Sequence, residues 1–340
     1  MTSTDVVTAE VAGDAAATPG AAAAGPGPLP GDGRSAVSPR AFDALTADPA
    51  KRAAYRLDTY AREGLDLFRP PGDRAWLYAT TFVVLKPDAF AGRRCGLILD
   101  ILEEEGWLPI AAHPLRFDPL LTREIWRYQF NAASAQRIAV VDHLLGSGPS
   151  LLVLLRDTRR APGLPASVRL TAAKGAADPG AAHGRDLRTR FGRVNGLFNF
   201  VHTADEPADL VRELRLFGYR TGASFLRSAL GAAPAQQGEP CPARALLPEL
   251  EREIPAHDLD VTRSLDRLAA RDDGWGELAR LHAAPERVGR WLEELETTEL
   301  PEGGARWDVL SVLTGWIECN EPGVAPLLAT VAATDWRNNG

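Results

Sequence analysis

Ala79-Thr80-Thr81-Phe82-Val83-Val84-Leu85 is a continuous apolar, β-branched run that stops at Lys86-Pro87-Asp88. A short run of this kind predicts a strand, and Pro87 fixes the direction in which the chain leaves it. A helical segment is expected from near Gly92 through Gly96-Leu97-Ile98-Leu99 to Trp107. More than a hundred residues on, Asn199-Phe200-Val201 reads as a second short strand. Asp205-Glu206-Pro207, with acids and proline together, reads as a helix start. His202 then lies at a strand end and Glu213 three turns along the following helix. A helix packed back across the strand would bring the Glu213 carboxylate to the imidazole. That carboxylate would fix the tautomer and leave the other ring nitrogen as a nucleophile. The same residues also fit a histidine at a strand end and a glutamate on a solvated face.

Outward from these two stretches the chain alternates. Strands are expected at about 79–85, 108–117, 150–156 and 198–202, and helices at about 93–105, 119–129, 133–145, 164–173 and 206–217. Two βαβ-like halves of this kind predict an α/β fold, a ferredoxin-like antiparallel sheet with helices on one face. Residues 174–197, rich in Gly, Ala and Arg, are expected as a long functional loop.

Five segments are expected. Residues 1–38, built of Ala, Gly, Pro, Ser and Thr, cannot bury enough apolar surface to offset their ordering entropy and read as a disordered tail. Residues 39–75 read as a helical lead-in, 76–220 as the α/β domain and 221–245 as a linker. Residues 246–340 read as a helical C-terminal region anchored by Trp275, Trp291, Trp307 and Trp316. That last region carries no catalytic constellation and is expected to pack or to meet a protein partner.

A net charge of -7 argues against a general nucleic-acid binder. Cys95, Cys241 and Cys319 have neither disulfide-framework nor metal-ligand spacing, which suits a reducing cytoplasm. No apolar run reaches membrane-spanning length, and the N-terminus has no secretory pattern.

Strand, Lys-Pro-Asp, helix and a distant Asn-x-x-His resemble the nucleoside diphosphate kinases, from about Trp76 to Gly218. Gly148-Pro149 before Ser150-Leu151-Leu152, Ala177-Asp178-Pro179-Gly180, Arg188 with Phe191, and Glu213 fall in the same order as that family's motifs. The resemblance implies a phosphohistidine at His202 supported by Glu213. ATP or another nucleoside triphosphate would be the phosphate donor and a nucleoside diphosphate or related molecule the acceptor. It further implies nucleotide contacts from Lys86, Tyr128, Arg169, Arg188 and Asn199, with Phe130 or a neighbouring aromatic stacking on the base. Mg²⁺ would arrive with the nucleotide, and a homo-oligomer is implied.

The chain departs from that pattern in places. His202-Thr203-Ala204-Asp205 stands where the family reads His-Gly-Ser-Asp. Ala173-Lys174-Gly175-Ala176 replaces Ala-Thr-Asn-Pro, so a phosphate-contacting threonine is lost, and Lys174 would supply charge instead. Arg169 and Tyr128 fit with a one-residue shift, and Arg137 lies two residues from the family's arginine. The alternative is a nucleotide-binding or assembly module that kept the fold and lost turnover.

Overall fold

The computed structural model describes residues 42–67, 73–161, 163–181, 184–222, 225 and 241–338. The tail expected at 1–38 and most of the linker expected at 221–245 lie outside them.

Four strands form one antiparallel sheet: β1 Thr80–Leu85, β2 Trp107–Leu115, β3 Ser150–Asp157 and β4 Val201–His202. Their order is β2-β3-β1-β4, the ferredoxin-like arrangement. All six β1 residues are buried, because the two sets of alternating side chains enter two different cores. Phe82 and Val84 join Leu152 and Leu154 on one face. Val83 and Leu85 join Leu151, Val153 and Leu155 on the other.

Helices therefore cover both faces, where the sequence led us to expect one. Strands buried at every position, such as β1 and the centre of β3, have cover on both sides. The first face carries α1 (Pro49–Tyr55), α2 (Thr59–Leu67), α3 (Asp73–Ala79), α6 (Pro119–Ile125) and α10 (Pro207–Thr221). The second carries α4 (Pro87–Ala91), α5 (Cys95–Glu104), α8 (Ala166–Lys174) and α9 (Leu187–Phe191), a short helix inside the stretch 174–197 expected as a loop. It also carries α11 (Ala243–Glu253), whose Ala243, Leu247 and Leu250 enter the same cluster as Leu85. The helix α7 (Ala135–Gly146) feeds both clusters.

Beyond α11, the chain folds as α12 (Val261–Ala269), α13 (Gly274–Leu281), α14 (Val288–Thr297), α15 (Gly304–Trp316) and α16 (Ala333–Asn338). Trp275, Trp291 and Trp307 are fully buried among them, and Trp316 packs edge-on against Trp291 at 5.7 Å. The described residues contain no helix long and apolar enough to cross a membrane.

The helix starts follow local chemistry. Ser134 caps α7 by accepting from the Arg137 N–H, and Asp118 caps α6. Glu206 and Asp209 form a reciprocal capping box at the start of α10. The helix α10 lies tight against α2 at Gly64, where a Cβ would stand 2.4 Å from the Val211 carbonyl oxygen, so only glycine permits that approach.

Candidate active site

The end of β1 and the start of β4 are tied together. Val84 pairs with His202 and Leu85 with Val201. The Lys86 N–H donates to the Phe200 carbonyl at 2.9 Å, and the Phe200 N–H donates to Asp88 Oδ2 at 2.8 Å. Lys-Pro-Asp thus fixes the backbone just ahead of the histidine.

Strand β4 is shorter than the 198–202 expected, because residues 199–200 turn instead of extending. The Val201 N–H bonds the Asn199 carbonyl and the Asn199 N–H bonds the Leu197 carbonyl, each at 2.9 Å. Phe200 sits between them at φ 69°, a left-handed conformation that costs a non-glycine residue about 1–3 kcal/mol. Its ring is wholly buried and both backbone groups are bonded, so the surroundings hold the strain.

His202 Nε2 and Glu213 Oε2 are 2.5 Å apart. Burial pushes the Glu213 carboxyl up, and the histidine beside it opposes the shift. The Trp126 ring meets the imidazole edge-on at 5.0 Å, and Phe82 lies at 5.9 Å. The ring is held by strand, carboxylate and aromatics, with Nδ1 left as the nitrogen not engaged by Glu213.

His202 lines a cleft of about 90 Å³ together with Lys86, Arg137, Arg188 and Asn199, walled by Trp126, Phe130 and Val141. Lys86 Nζ donates to the Leu197 carbonyl at 2.9 Å, and its nearest carboxylate, Asp88, is 3.6 Å away. Burial pushes the Lys86 ammonium down to about 8; Asp88 opposes this, and Arg188 and Arg137 add repulsion. Burial also lowers Arg188, to about 10, and Arg137. Arg188 donates to the carbonyls of Gly175 (2.8 Å) and Val201 (3.3 Å), yet its Nε is buried without a partner, as is that of Arg137. Cations buried against one another with donors to spare suit an anion rich in oxygen.

The other expected contacts lie elsewhere. Arg169 grips both oxygens of Asp157, at 2.6 and 2.7 Å, and its guanidinium covers the Trp107 ring at 3.7 Å. It does not line the cleft. The Tyr128 hydroxyl donates to Asp58 at 3.0 Å and its ring packs against Tyr55, in the core beneath α10. Trp126, two residues earlier, holds the position beside the histidine instead. Lys174 also stands outside the cleft lining, with Nζ on Thr203 Oγ1 at 2.6 Å and Asp205 at 3.5 Å. Asn199 does line the cleft, its amide held by the Gly196 carbonyl at 2.6 Å. Trp126 and Arg137 were missed as members. The signal for both was a shift of two residues across the irregular 125–137 stretch, too small to read without coordinates.

The cleft lining offers cations, an amide and one imidazole rather than carboxylates. The described residues contain no cluster of His, Cys, Asp or Glu able to hold a metal. These donors do not fit a resident Mg²⁺.

Residues 79–219 match the family model described as nucleoside diphosphate kinase. No curated protein matches the chain. Among solved structures the chain is similar to the nucleoside diphosphate kinase of Aquifex aeolicus, with 22% identity, 41% of this chain and 94% of that one covered, and a TM-score of 0.34. It is also similar to the Encephalitozoon cuniculi enzyme, with 19% identity, 41% and 88% covered, and a TM-score of 0.35. A third is a nucleoside diphosphate kinase family protein of Babesia bovis, with 21% identity, 41% and 87% covered, and a TM-score of 0.34.

Proposed function

We propose that this nucleoside diphosphate kinase-like domain, residues 79–219, is a phosphotransferase that works through a phosphohistidine at His202. The observation that carries the reading is the 2.5 Å contact between His202 Nε2 and Glu213 beside a cleft lined by Lys86, Arg137 and Arg188. The Nδ1 lone pair attacks the terminal phosphorus of a nucleoside triphosphate. The P–N bond forms as the P–O bond to the penultimate phosphate breaks, and that oxygen leaves with the electron pair. Glu213 holds the Nε2 proton and stabilises the positive charge that grows on the ring. An oxygen of a nucleoside diphosphate or related acceptor then attacks the phosphorus and returns the ring to its first state. Lys86 and the two arginines spread the charge of the moving group, the main demand of phosphoryl transfer. Asn199 binds a sugar hydroxyl or phosphate oxygen. Mg²⁺ enters as part of the nucleotide. A homo-oligomer in the cytoplasm completes the reading.

The test is incubation with γ-³²P-labelled ATP and Mg²⁺. The expected product is acid-labile, alkali-stable label on the protein that disappears in His202→Asn. Nucleotide binding without label would instead support a non-catalytic module. The tryptophan beside the histidine and the displacement of Arg169 and Tyr128 from the cleft favour that second reading.

A further inference from the structure

The Lys86 ammonium ends a flexible four-carbon stem and carries several donors, so its acceptors decide where it points. The Leu197 carbonyl takes one of those donors at 2.9 Å. That carbonyl belongs to a turn that a single side chain closes. Asn195 Oδ1 accepts from the Leu197 N–H at 2.9 Å and from the Phe198 N–H at 2.8 Å. The other end of the same amide reaches out of the turn. Asn195 Nδ2 donates to Thr314 Oγ1 at 3.1 Å, and Thr314, buried on α15, donates in turn to the Ser311 carbonyl at 3.4 Å. The C-terminal region backs the turn at two more points. The Trp307 ring lies 6.2 Å from that of Phe198, and a Cβ on Gly196 would stand 3.2 Å from Cys319 Sγ. Gly196, Leu197 and Asn199 line the His202 cleft, whereas Asn195 and Thr314 do not. The C-terminal region thus reaches Lys86 from behind the cleft wall.

Resting on the phosphohistidine reading, we infer that Asn195 is a positioning residue for phosphoryl transfer and that Thr314 of α15 holds it in place. The line from Thr314 through Asn195 and the Leu197 carbonyl fixes the ammonium of Lys86 with donors left for phosphoryl oxygens. Without the Thr314 hydroxyl, the amide turns to find another acceptor, and the Leu197 carbonyl moves with it. A small displacement of a charge-stabilising group is costly in rate, because transfer depends on its alignment. The C-terminal helical region is then part of the transfer site rather than an appendage beside it.

The test is a double-mutant cycle on the full-length chain: the parent, Thr314→Val, Lys86→Met and the pair. His202 labelling is measured at saturating ATP and ADP binding by calorimetry. Thr314→Val should slow labelling about tenfold, a part of the roughly 10²–10³-fold that follows loss of a whole charge-stabilising donor. ADP binding should weaken about fivefold. Added to Lys86→Met, the same change should do neither. Thr314→Ser, which keeps the hydroxyl, should label at the parental rate. Asn195→Ala, which also frees the two turn N–H groups, should lose more than Thr314→Val, and it carries the same cycle if Thr314→Val does not fold. Equal losses with and without the Lys86 ammonium overturn the inference, since they report a general loosening of α15. So do parental labelling and binding in Thr314→Val, or a Thr314→Ser chain as slow as Thr314→Val. A parent that binds ADP and takes no label removes the phosphohistidine, while the ADP cycle still decides Asn195 and Thr314. A parent that neither binds nor labels overturns both.

Discussion

Lys51 and Lys86 are both buried, and their surroundings are opposite. Lys51 sits between two carboxylates, 2.7 Å from Asp209 and 2.8 Å from Glu206. Tyr55 also donates to Asp209 at 2.5 Å, and Thr46, the Ala47 N–H and Trp336 all donate to Glu206. Burial alone would lower the Lys51 ammonium, but these acids overcome it and raise it well above an ordinary lysine. Lys86 has one carbonyl, a carboxylate at 3.6 Å and two arginines, and falls to about 8. The first lysine is satisfied and binds the lead-in helix to α10. The second has a single carboxylate, at 3.6 Å, and under the proposed function a substrate phosphate would supply the further negative charge.

The contrast breaks if the two lysines respond alike to neutralisation. Lys51→Met should cost about 3–5 kcal/mol in urea unfolding, since two buried carboxylates lose their cation. Lys86→Met should cost less, about 1–2 kcal/mol, because relief of the buried ammonium offsets part of what buried Asp88 loses with its cation. The same change should cut phosphoryl transfer by about 10²–10³-fold, the scale for removing one charge-stabilising donor. A comparable loss of stability in both variants would make Lys86 a structural residue.

pH sharpens the same comparison. For Lys86 the folded value is lowered, so above about 8 the unfolded chain binds more protons than the folded one, and stability rises toward 10.5 as the buried charge is relieved. The parent should gain about 2 kcal/mol over Lys86→Met between pH 7.5 and 9.5. Affinity for phosphate or ADP should fall across that window as the ammonium discharges. Glu213→Gln is expected to have the smallest effect: a loss of about tenfold in labelling rate, with the fold kept. A loss as large as that of His202→Asn would mean that Glu213 does more than hold the ring.

How much of this was legible in the sequence depended on whether the signal was local. β1, β3 and the start of α10 were readable because apolar runs and caps act within a few residues. The approach of Glu213 to His202 was readable because three helical turns bring that helix face back over the strand. The second covered face of the sheet was not, since the helical period of α11 (Ala243, Leu247, Leu250) shows that it has an apolar side but not which surface that side meets. Phe200 concealed the end of β4, because a buried aromatic in a left-handed turn looks like a strand residue on paper. Arg169 and Tyr128 have the right types at nearly the right spacing. Their partners Asp157 and Asp58 are distant in sequence, and only the fold shows that these bonds are already made.

The cap on α10 sets a clock for synthesis. Glu206 takes its last donor from Trp336, 130 residues downstream. At about 5–20 residues per second, a ribosome needs on the order of ten seconds to make that stretch. In the interval Glu206 and Asp209 have Thr46, the Ala47 N–H, Lys51 and Tyr55 as partners, from chain made about 155 residues earlier. The helix that carries Glu213 is thus seated in two instalments. A nascent chain stalled between them would have the histidine and its carboxylate without the indole that completes the cap.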